Sequence, residues 1–228
     1  AVQALTPGAN TLTASGSDVA GNVATTADNF TVDTTAPVLN VALSAGVDNV
    51  LNAAEAAAGL VVSGTTDAGL PVSVTLNDKV YATTADADGN WSLTIASGDL
   101  TALGDGTTPL SVAVTDASGN VATSVTNLTV AVNALPALTL NTPFVDGLVN
   151  APEAAAEQTL TGTATNLAVG TAVTVTLGDQ TFTGAVNADG TWSAAVPAGT
   201  LAALTDGLYQ LTVASADAAG NPATAEAS

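Results

Sequence analysis

The sequence predicts an all-β chain built from tandem domains, and three observations carry that expectation. Short runs alternate apolar residues with Ser or Thr, turn-forming pairs punctuate the runs, and the same markers return about once per hundred residues. With 228 residues of which 47% are hydrophobic, the chain holds enough apolar material for one or two ordinary domains, so wholesale disorder is not expected.

The recurring markers set the organisation. DVAGNVAT from Asp18 returns as DASGNVAT from Asp116 and as DAAGNPAT from Asp217, offsets of 98 and 101. The offset of 98 also links DNVLNAAEAA at Asp48 with DGLVNAPEAA at Asp146, and 101 links DADGNW with NADGTW. A three-residue insertion between SGTTDAGLPVSVTL (63–76) and TGTATNLAVGTAVTVTL (161–177) explains the difference. Residues 1–35 therefore read as the last two strands of a truncated copy plus a linker, 36–133 as a complete copy, and 134–228 as a copy whose last strand is cut short. A piece as small as the first does not normally bury a core, so the chain reads as an excerpt from a longer array.

Within the middle copy the strands follow in order. Val72, Val74 and Leu76 alternate with Ser73 and Thr75; Trp91, Leu93 and Ile95 with Ser92 and Thr94; Leu110, Val112 and Val114 with Ser111 and Ala113. Period two with hydroxyls on the other face means sheets with one wet side. Counting runs between Gly-Asn, Asp-Gly and Asn-Asp turns gives seven strands in 36–132, the number and spacing of an immunoglobulin-like β-sandwich. Two short helical turns interrupt each copy. Asn52 with Glu55, and Asn150 with Glu153, have capping-box spacing, and Leu100/Leu103 before Gly106 parallels Leu201/Leu204 before Gly207. The links VDTTAP (32–37) and VNALP (132–136) are short and end in a proline that fixes φ, so the sandwiches are expected in a linear rod.

Charge narrows the function. One Lys+Arg against 20 Asp+Glu gives a net charge of −19, which disfavours nucleic acid and anionic membrane and makes cations the natural partners. There is no Cys, His or Met, hence no disulfide, no soft-metal ligand and no imidazole base. With a single Lys and acids that recur with the repeat, no enzyme is expected.

Following a sandwich strand by strand sends its acids to two poles. Asp67, Asp86, Asp88 and Asp116 should gather at the incoming linker with Asp33. Asp48, Glu55, Asp99 and Asp105 should gather at the far pole, facing Asn133 and the Asp217 loop of the next copy. Carboxylates converging without bases repel by roughly 1–4 kcal/mol per close pair. A hard cation removes that repulsion, and Ca2+ takes six to eight oxygens in irregular geometry. The candidate ligands are Asp33, Asp67, Asp116, Asp48, Glu55, Asp105, Asn133 and Asp217, with Asp146 and Glu153 as counterparts of Asp48 and Glu55. Plainer roles fit several of them: Asp116, Gly119 and Asn120 suit a hairpin turn, Glu55 and Glu153 suit caps, and Asp86, Asp88 and Asp189 suit tight turns. Trp91 and Trp192 each open an apolar face and read as core rather than as sugar platforms. No EF-hand loop and no nonapeptide calcium array is present.

VDTTAP, the NAAEA segment, DADGNW, LTALGDGTTPLSVAVTD and DASGNVAT together resemble the bacterial Ig-like repeats of giant biofilm-associated and RTX-type adhesins exported by type I secretion. The resemblance implies an extracellular or cell-surface protein whose repeats act as extender modules, with calcium at the junctions between neighbouring repeats and a surface ligand bound by another region. It carries over most directly to Asp33, Asp116 and Asp217. A glycan- or host-surface-binding module is the alternative, although aromatics are only 3% of the residues.

Overall fold

The computed structural model describes residues 5–46 and 48–227. In chain order the elements are β1 (Gly8–Ser17), β2 (Val23–Val32), β3 (Leu39–Leu43), β4 (Val50–Asn52), α1 (Ala53–Ala58), β5 (Leu60–Thr66), β6 (Pro71–Leu76), β7 (Lys79–Thr84), β8 (Asn90–Ile95), α2 (Ser97–Leu100), β9 (Gly106–Thr115) and β10 (Val121–Ala131). They continue with β11 (Ala137–Leu138), α3 (Phe144–Gly147), α4 (Ala151–Ala155), β12 (Gln158–Thr165), β13 (Ala172–Leu177), β14 (Gln180–Val186), β15 (Thr191–Val196), a 3-10 turn (Leu201–Ala203), β16 (Leu211–Ala216) and β17 (Pro222–Ala227). Both capping boxes form: Asn52 and Asn150 accept from the amides of Glu55 and Glu153, whose carboxylates accept in return. No helix among the described residues is long and apolar enough to cross a membrane.

The sequence count of seven strands for 36–132 differs from the eight observed among the described residues, β3 to β10. The additional one is β4, three residues that pair in parallel with the end of β10, Thr129↔Val50 to Ala131↔Asn52. Gly46 (φ 55) and Asn49 (φ 58) interrupt the first strand, and after the break the chain belongs to the other sheet. The sheets are β3-β5-β8 and β4-β10-β9-β6-β7. The third copy repeats this neighbour order as β11-β12-β15 and β14-β13-β16-β17, joined into one seven-stranded sheet through Ala185↔Ser193 and Val186↔Trp192.

The chain forms two compact units, and the middle copy contributes to both. The first unit takes the chain up to Leu43 with Val61–Thr94 and Pro109–Asn127. In it β1 and β2 form a hairpin in continuous register, Gly8↔Val32 to Ser17↔Val23, almost wholly exposed. The β6–β7 hairpin closes with Leu76↔Lys79 across Asn77 and Asp78, both left-handed (φ 49 and 61), the geometry that matches strand twist in a two-residue turn. The predicted alternation holds: Val72, Val74, Leu110, Val112 and Val114 are buried while Ser73, Ser111 and Ala113 are half-buried.

The second unit holds Ser44–Leu60, Ile95–Thr108 and the chain from Leu128 onward. Its core joins Leu160, Val173, Val175, Leu211 and Val213 around Trp192, which is fully buried as expected for a core tryptophan. The Trp192 Nε1 donates to the carbonyl of Thr139 at 2.8 Å, so the polar edge of the ring is satisfied and β11 is tied to the core. This packing requires glycine at 162. A Cβ there would overlap the Thr139 carbonyl and meet the indole nitrogen.

Candidate functional site: the loops and linkers at the seams between copies

One loop recurs with constant geometry. In Asp18–Asn22, Asp86–Asn90, Asp116–Asn120 and Asp217–Asn221 the Asp amide donates to the Asn carbonyl and the Gly amide donates back to the Asp carbonyl. The Asp Oδ1 accepts two backbone amides, those of Ala20 and Asn22, of Asp88 and Asn90, of Ser118 and Asn120, and of Ala219 and Asn221. The glycines sit at φ 89, 81, 90 and 80, which β-carbon-bearing residues resist. In three loops the other Asp oxygen accepts from the Asn side-chain amide, at 2.7 Å in Asp18–Asn22 and 2.9 Å in Asp116–Asn120 and Asp217–Asn221. That amide is the first cause holding the carboxyls of Asp18 and Asp116 below the usual carboxylate range.

Two of these loops reach the end of the preceding copy. Asn120 Nδ2 also approaches the carbonyl of Asp33 at 3.3 Å, and Ser118 Oγ donates to Asp33 Oδ2 at 2.9 Å. At the next seam Asn221 does more. Its Nδ2 donates to the carbonyl of Ala131 at 2.9 Å, and its Oδ1 accepts from the amide of Ala53 at 2.8 Å. Ala53 opens α1, so its amide is one of the donors a helix start leaves without an intrahelical partner. Asn221 is 3% exposed, and its amide group is held in orientation by Asp217.

These bonds match position 33 with 131, not with 133 as the two linker motifs suggest by alignment. The structural counterpart of Asp33 at the second seam is an alanine, and only its backbone carbonyl takes part. Asn133 lies two residues further on, where its Nδ2 donates to the carbonyl of Leu103 at 2.8 Å.

Asp105 holds the outgoing linker. Its Oδ1 accepts from the amides of Val132 (2.7 Å) and Asn133 (2.9 Å) and from the Asn133 side chain (3.2 Å), while Oδ2 accepts from the amide of Ala134 (2.7 Å). The Ala134 amide, followed by those of Asn133 and Val132, holds the Asp105 carboxyl below its ordinary value. Stability from a carboxyl lowered on folding is present above the unfolded value near pH ~3.9 and is lost as pH falls through the lower folded value. Asp105→Asn turns an N–H donor toward the donating Ala134 amide and is expected to destabilise by about 1 kcal/mol at pH 7. In urea titrations the gap between wild type and variant should close below about pH 4; a gap constant down to pH 2 would refute the clamp.

The remaining candidate ligands are placed as follows. Asp48 Oδ1 accepts from Val50 N and Asp146 Oδ1 from Leu148 N, each closing a local turn. Glu55 and Glu153 serve their caps. Asp48 and Glu55 do meet around Gly46: a Cβ there would collide with Glu55 Oε1 and lie 3.1 Å from Asp48 Oδ1. Asp67 contributes its carbonyl to a turn, accepting from Leu70 N at 3.3 Å. Among the described residues no three acidic side chains converge on one point. The chemistry of the seams in this structure is hydrogen bonding by amides and carboxylates. Sequence reasoning assigned Asn120 to a turn and passed over Asn221; the signal available was the asparagine that ends every Asp-x-x-Gly-Asn loop.

The profile of the bacterial Ig-like domain matches residues 44–133 and 154–228. The chain belongs to that family. Among solved structures, the bacterial Ig-like chain is similar to a Ca2+-stabilized adhesin that helps an Antarctic bacterium reach out and bind ice, at 36% identity over 97% of this chain and 56% of that one, TM-score 0.46. It is also similar to a 1.5-MDa bacterial ice-binding adhesin studied for its retention at the host cell surface, at 30% identity over 98% of this chain and 74% of that one, TM-score 0.47. A tetra-tandem repeat from the extending region of a large adhesion protein matches at 28% identity over 98% of this chain and 56% of that one, TM-score 0.41. The chain thus spans little more than half the length of the first of these relatives. No curated protein matches.

Proposed function

We propose that this chain is a stretch of stalk in a large bacterial surface adhesin, working outside the cell, where the repeats 36–133 and 134–228 are folding modules and length and stiffness are the product. The observation that carries this reading is the recurring seam, in which the Asp-x-x-Gly-Asn loop of one copy bonds the end of the copy before it, at Asp33 just past β2 and again at Ala131, the last residue of β10. Backbone groups bonded to a loop fixed by its own Asp make a joint with little freedom. The product of such a string is reach, in the service of adhesion and biofilm formation. The neighbouring repeats are its partners, and the surface ligand belongs to another region.

Calcium belongs to this proposal. A relative at 36% identity is Ca2+-stabilized, and a net charge of −19 makes cation binding favourable for this chain. The described acids meet in pairs, so a Ca2+ at Asp48 and Glu55, or at Asp33 beside the Asp116 loop, would complete its shell from carbonyl oxygens and water, with affinity of order ~10⁻⁴–10⁻³ M. An unfolded, cysteine-free chain would cross a type I secretion channel where calcium is scarce and fold outside where it is plentiful. The test is calcium titration of the 228-residue chain with small-angle scattering and thermal melting in parallel. Millimolar Ca2+ is expected to raise both the maximum dimension and the melting temperature, and chelator to reverse both. If neither moves, calcium drops out of the reading. The hydrogen-bonded seam stands or falls separately, on the Asn221 substitution described below.

A further inference from the structure

The β4–β10 pair is parallel and three residues long, Thr129↔Val50 to Ala131↔Asn52. The chain enters this pair at the N-terminal end of β4 and leaves it at the C-terminal end of β10. Tension along the chain therefore draws the two strands in opposite directions along their common axis, and every cross-link between them is strained at once. In so short a ladder each further cross-link is a large share of the resistance.

Alternate amides of a strand face any one neighbour in a sheet. Those of Val50 and Asn52 donate to Asp48 and Glu55, which leaves the amides of Leu51 and Ala53 turned toward β10. Leu51 pairs with Val130, so the bond that continues the ladder would run from the Ala53 amide to the Ala131 carbonyl. One side chain spans these two groups. The Ala53 amide donates to Asn221 Oδ1 at 2.8 Å, and Asn221 Nδ2 donates to the Ala131 carbonyl at 2.9 Å. A carboxamide carries the donor and the acceptor of a peptide unit, so it extends the ladder in kind. Its orientation is set by Asp217 Oδ2, which accepts the other Nδ2 proton at 2.9 Å, and burial shields both bonds from water.

We propose that Asn221 is a rung of the copy before its own: the carboxamide of the Asp217–Asn221 loop is inserted at the end of the β4–β10 ladder and bears tension there, so the resistance of one repeat to being pulled open depends on the next. This rests on the stalk reading, because a tethered chain is one under tension. It adds to stiffness a direction of support, from each copy to the copy on its N-terminal side.

The chain has no cysteine, so Ser44→Cys and Ala134→Cys, both at exposed positions, give two attachment points for handles on the full 228-residue chain. Stretching between 44 and 134 in an optical trap at constant force loads β4 and β10 in the sense described. Asn221→Ala is expected to shorten the folded lifetime at a given force about tenfold or more, as loss of a buried hydrogen-bonded bridge from the unfolding barrier requires. Ile95→Val, at a fully buried position in β8, controls for lost stability alone and should shorten it less than about threefold. Asn221→Ser keeps one hydroxyl in place of the bridge, should fall between the alanine chain and Ile95→Val, and carries the test if the alanine chain does not fold. Lifetimes in that order support the proposal. An Asn221 variant as long-lived as the unsubstituted chain, or no shorter-lived than Ile95→Val, overturns it. Faster exchange of the Ala53 amide in that same unstretched variant would then show that the seam and the stalk reading stand without it.

Discussion

Gly162→Ala is expected to lower the stability of the second unit by about 3 kcal/mol or more, because the added carbon enters space already filled by backbone. Its Cβ would overlap the Thr139 carbonyl, and that carbonyl accepts the Trp192 Nε1 proton at 2.8 Å. Relief requires β11 to move away from β12, which breaks the indole hydrogen bond and opens the packing around a fully buried tryptophan. Flexible side chains could have turned aside; a carbonyl held in the Thr139–Thr163 ladder cannot. Gly98→Ala is the companion measurement. Nothing lies within 4 Å of a Cβ at that position, which is in α2, so a change within about 1 kcal/mol, in the stabilising direction, is expected. Urea unfolding read by tryptophan fluorescence separates the two, and equal midpoints for Gly162→Ala and wild type would refute the close-approach argument.

Asn221→Ala should cost about 2–4 kcal/mol and loosen the seam. The substitution strips the Ala53 amide and the Ala131 carbonyl of their partner at once, and it leaves Asp217 Oδ2 without the amide it accepts from. Burial of the site limits how far water can replace what is lost. Hydrogen exchange gives the local readout: the Ala53 amide should exchange at least thirtyfold faster, while Ala82 in the β6–β7 hairpin should be unchanged. Asn221→Asp should be no milder, since it sets a second carboxylate against Asp217. Asn120→Ala is expected to be clearly weaker. Asn120 makes one long bond, 3.3 Å, to the backbone of the preceding copy and is only half-buried. Unchanged Ala53 exchange in the alanine variant would remove the seam as a joint.

Much of the fold is legible residue by residue, because the forces that set it act over a few positions. Alternation at 72–76 and 110–114 put Val72, Val74, Leu110 and Val112 in the core, where they are. Asn-Asp at 77–78 reads as a tight hairpin, and Asn52-x-x-Glu55 as a cap, since both depend on dihedral preference and a spacing of at most three residues. β4 escaped the same reading: three residues carry no period, and what makes them a strand is β10, about 80 residues later. For Asp105 and Asp217 the sequence offers charge and loop position, and these point to a cation. Asp105 and Asp217 do sit at the seam, yet their oxygens are occupied by amide protons, because a carboxylate takes whatever donor the backbone brings to it.

The amino-acid sequence alone determined the strand periodicity, the turns, the helix caps and the repeat register, all consequences of local stereochemistry and of apolar surface seeking burial. Only the tertiary structure decided which atoms make the seam. Asn221 meets the amide of Ala53, 168 positions away, and the carbonyl of Ala131, 90 away. Both partners are main-chain groups of alanines, common to every residue type and marked by nothing in the letters. The path of the chain turns them into a binding site.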